Sequence, residues 1–478
     1  MSAAAGATME GAHPPLRPAA FPAVLMVMTG IAVAAGFGLL SAWNPAVALA
    51  AAAGLAIIIV ALWRPAWIAP LLVVTIFGGF FTVGSVTANR LAAPVAGIAI
   101  VAHLVRTRPR LNLPRPIVAA IAAYSGLAFA SLLWTLSRDG TVFSLSALAI
   151  SLLYAAAFAV LVRNQAELRL TLWTVAICSG ALGLWWIGSY AAGVYRADNS
   201  AGDPNFVALL QLIALPLITA LAAATRSLIG RVIAYILAAI TGASVIATLS
   251  RGGVITLLVV GGLLALIPAG WLFGSRRRKA GFLAFMVIGL ALTFTTASGD
   301  LLQRFQSSLN PPAAAEGRGN LDLAAIHGFQ DHPVLGMGFG AFKPNSFDLL
   351  RTTPGVYLEV HLRFQYLQGQ PAHNAYLETL SELGVPGLAL FITLLAMTGL
   401  TLLRCARRAA GRGQPLFASV PAALLVGLVA TAVSSLSLST ETSRQLWLVI
   451  GLALTLPGMI ALSGAPPEHN HVRGGSRS

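Results

Sequence analysis

HNAYLETLSELGVPGLALFITLLAMTGLTLL, His373–Leu403, passes from a polar segment into an apolar run with no charge after Glu382. The run from Val385 to Leu403 is long enough to cross a bilayer as a helix, because about 20 apolar residues span the roughly 30 Å hydrocarbon core. Similar runs recur along the 478 residues, of which 57% are hydrophobic and 9% charged. A soluble protein carries about 25% charged residues. Inside a bilayer each backbone N–H and C=O must be satisfied without water, so these runs predict helices. The sequence therefore predicts an all-α fold, a polytopic membrane bundle of about 12–14 transmembrane helices.

The candidate spans centre near Ala32, Ala53, Thr75, Gly97, Gly126, Ile150, Ser179, Ile213, Ala239, Gly261, Ile288, Ile392, Val426 and Gly451. The first, near Phe21–Leu40, is longer than a signal-peptide core and reads as a retained helix. Charge orients the set. With the N-terminus placed in the cytoplasm, cytoplasmic segments hold 20 of the 30 Lys and Arg, the short opposite loops five, and one long loop the other five. Only three of the 15 Asp and Glu fall on the basic side. That asymmetry is the positive-inside pattern. The net charge of +15 is then a matter of topology. Its basic clusters are short loops flush with a membrane surface, which argues against nucleic acid as a partner. Cys178 and Cys405 lack metal-ligand spacing and read as buried small residues.

The expected organisation is an N-terminal bundle with short loops over residues 1–297, a large loop over 298–384, and C-terminal helices with a tail over 385–478. Within the loop, Leu321–Gln330 predicts a short amphipathic helix, and PVLGMGFG (Pro333–Gly340) must turn. Asn374–Leu383 predicts a helix ended by Gly384 and Pro386. No internal repeat is evident, which weighs against a secondary transporter.

Chemistry-bearing residues gather on the side away from the basic clusters. Arg196 lies in VYRADNSAGDPNF and Arg251 in TLSRGG, both at helix junctions. Membrane-edge arginines are costly unless partnered, and the guanidinium fork suits phosphate oxygens. Gly252 and Gly253 would let a phosphate approach the backbone; the plainer reading is that Arg251 snorkels to the interface. Asp203 and Asn205 either orient Arg196 or form a turn before the next helix. His373 is the candidate general base, since its ordinary pKa near 6.5 needs only a small shift to suit working pH; the alternative is a loop histidine at a helix start. Asn374 reads as the cap of that helix. Glu378 and Glu382, four apart, read as a solvated face. Lys343, Arg351 and Arg363 either line a surface for an acidic substrate or are solvated charge, and the second is the plainer reading. His327, His332 and His361 match no standard ligand spacing, so no metal site is expected. The chain has no P-loop, no GxSxG elbow and no dinucleotide fingerprint. No cofactor is expected, and the energy for any synthesis must come from the substrate.

HNAYLETLSELGVPGLALF resembles the histidine block of the O-antigen ligase and O-antigen polymerase superfamily, with His373, Asn374, Gly384 and Gly387 in register. FQDHPVLGMGFGAF resembles the segment upstream of it, through Asp331, His332, Pro333, Gly336, Gly338 and Gly340. DPNFVALL and TLSRGG, holding Asn205 and Arg251, resemble two further blocks. The resemblance covers about Arg196 to Leu395, and the family core has fewer spans than the 14 counted here. It implies an inner-membrane helical bundle like the GT-C glycosyltransferases, with one large periplasmic loop and both termini cytoplasmic. It implies a glycan donor carried on undecaprenyl diphosphate, and an acceptor that is lipid A–core or a growing glycan. His373, Arg196 and Arg251 would be catalytic, and Arg196, Arg251, Asn205 and Asn374 would bind substrate. The two arginines would stand in for a metal, and transfer would invert the anomeric centre. A ligase is the leading reading, a polymerase of lipid-linked repeat units the alternative, and a lipid-linked glycan transporter a third.

Overall fold

A computed structural model describes residues 45–463 apart from 81, 84–85, 110, 195–202, 310–314, 357–366 and 413–414. The chain divides into two compact units, Met1–Ile59 and Val60–Ser478. The described part of the first is helical, within α1 (Pro45–Trp63).

The second unit is a polytopic helical membrane protein. Among the described residues, ten helices are long and apolar enough to span a bilayer. They are α3 (Ala88–Thr107), α4 (Arg115–Ala130, extended by a 3-10 turn to Leu133), α5 (Arg138–Leu161), α6 (Gln165–Ala191), α7 (Pro204–Ala224), α8 (Leu228–Ala247), α11 (Arg276–Leu309), α14 (Ala375–Gly411), α15 (Pro415–Ser434) and α16 (Arg444–Ser463). The expected span near Ala32 lies outside the described residues. The span expected near Ala53 falls on α1, and those expected near Thr75 and Gly261 are shorter apolar helices: Pro65–Phe77 including α2 (Ile68–Phe77), and α9 (Arg251–Leu266). Gly78 and Gly79 stop α2, and Pro268 stops α9, because Gly costs helix entropy and Pro cannot continue a helix.

Helix α7 is the hub. It is apolar all round, as a helix must be when neighbours cover it on every side, and 89% of its spanning window is buried. It packs on α8 and α15, which in turn contact α6, α9 and α14. Its mid-span Gln211 side chain is fully buried. Gln211 Oε1 accepts from the Ser179 hydroxyl, its Nε2 donates to Ser179 O at 3.0 Å, and Ser179 pairs with Thr241 at 2.7 Å. This network ties α6, α7 and α8 together where an unpaired polar group would be costly. At the periphery, only 11% of the α11 window is buried. With 34 residues, α11 is about 50 Å long and overruns the hydrocarbon thickness.

After α11 the polar segment forms α12 (Ala315–Asp331) and α13 (Phe342–Thr352). Leu321, Ala324, Ala325, Met337, Phe342 and Leu350 close a small core of their own, and α12 rests on α14. The expected helix end at Gly384 is a kink: φ 64°, ψ −164° breaks α14, which then resumes helical geometry. The break orphans the last carbonyls of the first half of α14. The Gly-rich run satisfies them, Met337 N donating to Ser381 O at 3.0 Å and Gly338 N to Glu382 O at 2.8 Å. On its other side the run is held by Leu136 N to Met337 O at 2.8 Å and Phe339 N to Ser131 Oγ at 3.0 Å. Gly338 has φ 103°, and a Cβ there would lie 2.3 Å from Thr135 Oγ1. Only glycine fits between these two walls.

Candidate functional site

Three helices begin at the same end of the bundle, and each is capped by a side chain. Asp203 Oδ1 accepts from Asn205 N at 2.8 Å and Phe206 N at 3.2 Å, starting α7. Ser250 Oγ accepts from Gly253 N at 3.1 Å, starting α9. Asn374 Oδ1 accepts from Tyr376 N at 3.2 Å and Leu377 N at 3.3 Å, starting α14. Such caps satisfy orphan donors at about 1 kcal/mol each. The residues before two of these caps, Leu249 (φ 51°) and His373 (φ 56°), are left-handed. That conformation is costly for a residue with a Cβ and persists only where the surroundings enforce it.

Two of these helix starts are also tied together. The Ser250 hydroxyl donates to Asn205 Oδ1 at 2.8 Å, joining the starts of α7 and α9. Arg251 is the first residue of α9, beside that joint. The Asn374 amide faces the Asp322 carboxyl of α12 and favours its charged form, against burial that raises its pKa. One turn earlier on α12, Arg318 lies within electrostatic reach of Asp203, Arg251 and Asp322. Burial lowers its pKa, yet a guanidinium stays charged in a protein. His373 feels Arg318, Asp203 and Lys343. Burial holds its pKa below the ordinary 6.5; Arg318 and Lys343 act in the same sense, and Asp203 opposes them. The imidazole is therefore neutral at neutral pH and free to accept a proton.

The structure thus brings together His373, Asn374, Arg251 and Asn205. Arg196 lies outside the described residues, as do His361 and Arg363. Asp203 is a cap and belongs to the cluster. Lys343 is exposed but close enough to bear on His373, whereas Arg351 pairs with Asp348 at 3.7 Å on the exposed face of α13. His327 contacts Thr353 at 3.2 Å and Asp331 at 3.9 Å.

Two expectations are corrected. Glu378 and Glu382 are not a solvated face: they are 6% and 2% exposed. Glu378 Oε2 accepts from Ala372 N at 3.1 Å and from the Ser439 hydroxyl, pinning the turn that carries His373. Glu382 Oε1 accepts from Phe342 N at 3.1 Å, pinning the end of the Gly-rich run. Two of the three donors, Ser439 and Phe342, are 61 and 40 residues away, so the burial has little local signal. The space over Gly252 and Gly253 is likewise filled by protein. A Cβ on Gly253 would meet Ala208 Cβ at 2.7 Å, and one on Gly252 would meet Ser437 Oγ at 2.9 Å. These glycines let α9 pack closely against α7 and the turn after α15.

Sequence reasoning missed Arg318, Asp322 and Glu441. The Arg318–Asp322 spacing of four, on one helix face, was the available signal. Glu441 is buried behind the His373 turn, and its Oε2 has no hydrogen-bond partner. Burial, with Glu378 nearby, holds its carboxyl well above the usual range.

Residues 234–392 match the family model described as O-antigen ligase. No curated protein matches the chain. The matched segment runs from α8 into α14 and contains Ser250, Arg251, Arg318, Asp322, Lys343, His373 and Asn374. Over this third of its length the chain is similar to the O-antigen ligase family.

Proposed function

We propose that the chain is a membrane glycosyltransferase that moves a glycan from undecaprenyl diphosphate to an acceptor hydroxyl, most simply on lipid A–core, at the periplasmic face of the inner membrane. The observation that carries this reading is the neutral, half-buried His373 beside Arg318 and near Arg251, where three capped helices begin and a hydrogen bond joins two of the starts. A base and two guanidinium groups at one spot are what the reaction needs. The acceptor oxygen attacks the anomeric carbon as the bond from that carbon to the diphosphate oxygen breaks. The electron pair leaves on the diphosphate, and His373 takes the hydroxyl proton. Arg251, Arg318 and Arg196 meet the charge that grows on the leaving group. Backside attack inverts the anomeric centre. Since the protein supplies these cations, transfer proceeds without a divalent metal.

The surroundings support a lipid-linked donor. An apolar groove of about 600 Å³ runs between α9 and α11, from Val254, three residues beyond Arg251, down to Leu264 and Ala265. A polyprenyl chain lying there would keep its diphosphate at the start of α9. The orientation follows from the charge asymmetry, with the arginine-rich ends of the helices in the cytoplasm. The same residues serve a polymerase that joins lipid-linked repeat units, and the product separates the two. A transporter would present charge along a central path, whereas the cluster gathers at one end of the bundle.

The decisive experiment is glycolipid analysis of a deletion strain complemented with the wild type or His373→Ala. Unmodified lipid A–core, with long polymer accumulating on undecaprenyl diphosphate, is the expected defect. Core carrying a single repeat unit would instead identify a polymerase. Normal glycolipids in the His373→Ala strain would overturn both.

A further inference from the structure

The opposite end of the hub helix carries a second concave site. α7 runs 21 residues from its Asp203 cap to Ala224, about 30 Å. At that far end, α6 and α8 begin, α15 begins, and the short α10 (Ala269–Leu272) closes one side. Together they enclose a cavity of about 580 Å³. Arg169, Arg226, Arg231 and Arg278 line it, and no Asp or Glu does. Among the described residues none of the four is ion-paired with a carboxylate, and Arg231 Nε is buried with no hydrogen-bond partner.

Four like charges around one cavity repel one another, and burying a donor without a partner adds to that cost. An anion with several oxygens removes both costs at once, and guanidinium forks match phosphate oxygens bidentately. The cavity also has an apolar continuation. Arg231 and Arg278 line a second hollow of about 460 Å³ between α8 and α11, whose other walls include Val232, Tyr235, Ile236, Phe282 and Phe285. Val232 and Ile236 are 46% and 50% exposed, so this groove opens on the membrane-facing side of α8. A cationic compartment joined through two shared arginines to an open apolar groove matches an amphiphile with an anionic head and hydrocarbon chains. A soluble anion would use only the first half.

We infer that this cavity binds an anionic membrane phospholipid, its phosphate among the four arginines and its chains along the α8–α11 groove. Basic pockets between membrane helices hold lipid head groups in this way. The site stands at the other end of the bundle from His373 and does not depend on the transfer reaction.

The test is native mass spectrometry of the full-length protein in a neutral maltoside detergent, titrated with dioleoyl phosphatidylglycerol or dioleoyl phosphatidylcholine. The wild type is expected to hold phosphatidylglycerol at least tenfold more tightly. Arg226→Gln with Arg231→Gln should abolish that preference. Arg404→Gln with Arg408→Gln, which removes two exposed charges near the same end, should keep it. Equal retention of the two lipids by the wild type would overturn the inference. So would an equal loss in the Arg404/Arg408 variant, which would mean diffuse surface charge. Inorganic phosphate displacing the lipid at equal concentration would point to a soluble anion and also overturn it. If the Arg226/Arg231 variant does not fold, the wild-type lipid comparison and the phosphate competition decide.

Discussion

Gly384→Ala tests whether the kink in α14 builds the site. Gly384 has φ 64° and ψ −164°, a region almost closed to residues with a Cβ. An added Cβ would lie 2.2 Å from Val334 O, 2.6 Å from Val334 C and 2.9 Å from Pro333 O. All three are backbone atoms, so no side-chain rotation relieves the clash, and the Gly-rich run must move by about an ångström. Backbone strain costs about 1–3 kcal/mol, and overpacking costs about 1–3 kcal/mol more. The shift also loosens Val385 N to Pro333 O, now 3.2 Å, a bond worth about 1 kcal/mol. The sum is about 3–7 kcal/mol, comparable to the whole stability of a small domain. The run either leaves the carbonyls of Ser381 and Glu382 or drags the first half of α14, with Asn374 and His373, out of place. The assay pairs a thermal-stability measurement in detergent with glycolipid transfer in a complemented strain. Gly399→Ala is the control: it lies on the same helix, and its Cβ would meet Leu428 and Leu425 side chains at 3.5 Å and 3.7 Å, ordinary contact distances. We expect a lower unfolding midpoint and at least a tenfold loss of transfer for Gly384→Ala, and neither for Gly399→Ala. If the two variants behave alike, the kink does not support the site as argued.

Arg251→Ala and Arg318→Ala should each reduce transfer at least a hundredfold while the protein still inserts; full activity in either would remove that arginine from the mechanism. The acidic limb of the pH–activity profile should lie below 6.5, because the proposed reaction needs neutral His373 and burial chiefly lowers its pKa. Lys343→Gln removes a charge that lowers this pKa and should move the limb to higher pH, whereas Asp203→Asn removes one that raises it and should move the limb lower; shifts in the reverse directions would mean that another group titrates. Transfer should survive EDTA, and activity that EDTA abolishes and Mg²⁺ restores would refute the metal-independent scheme. Ser250→Ala loses the α9 cap and the tie to Asn205, at about 1–2 kcal/mol; an unchanged unfolding midpoint would show that the joint carries little.

What could be read from the sequence was local. The Asn374 cap and the break at Gly384 follow from the chemistry of one or two residues and appear where expected. The spans follow from apolar length, and the shortfall at α9 follows from one proline. What could not be read depends on contacts across the chain. The amphipathic pattern starts at Leu321, but the helix starts at Ala315. Gly317 and Gly319 lower helix propensity there by about 1 kcal/mol each. Packing of α12 on α14 overrides that preference, and Arg318 enters the cluster only through it. Glu378 and Glu382 have the spacing of an exposed face, yet Ser439 and Phe342, 61 and 40 residues away, supply the bonds that make their burial tolerable.

The position of the site follows from a constraint that membranes impose on every helix. A helix that begins at the edge of the hydrocarbon exposes N–H groups that lipid cannot satisfy, so its start must be capped. Here α7, α9 and α14 all begin at one end, and Asp203, Ser250 and Asn374 meet that need. Three helix starts also turn the positive ends of three peptide dipoles toward one place, where Arg251 and Arg318 add two full charges. Asp203 and Asp322 offset part of that field and keep it tolerable without a ligand. An incoming diphosphate would meet donors and cations already fixed by the caps, so little reorganisation would remain to be done as its charge grows. His373 sits one residue before such a cap, in a left-handed conformation held by Glu378 through Ala372. The backbone that carries its imidazole is thus set by the bonds that begin the helix, and any change that frees the cap should free the imidazole as well.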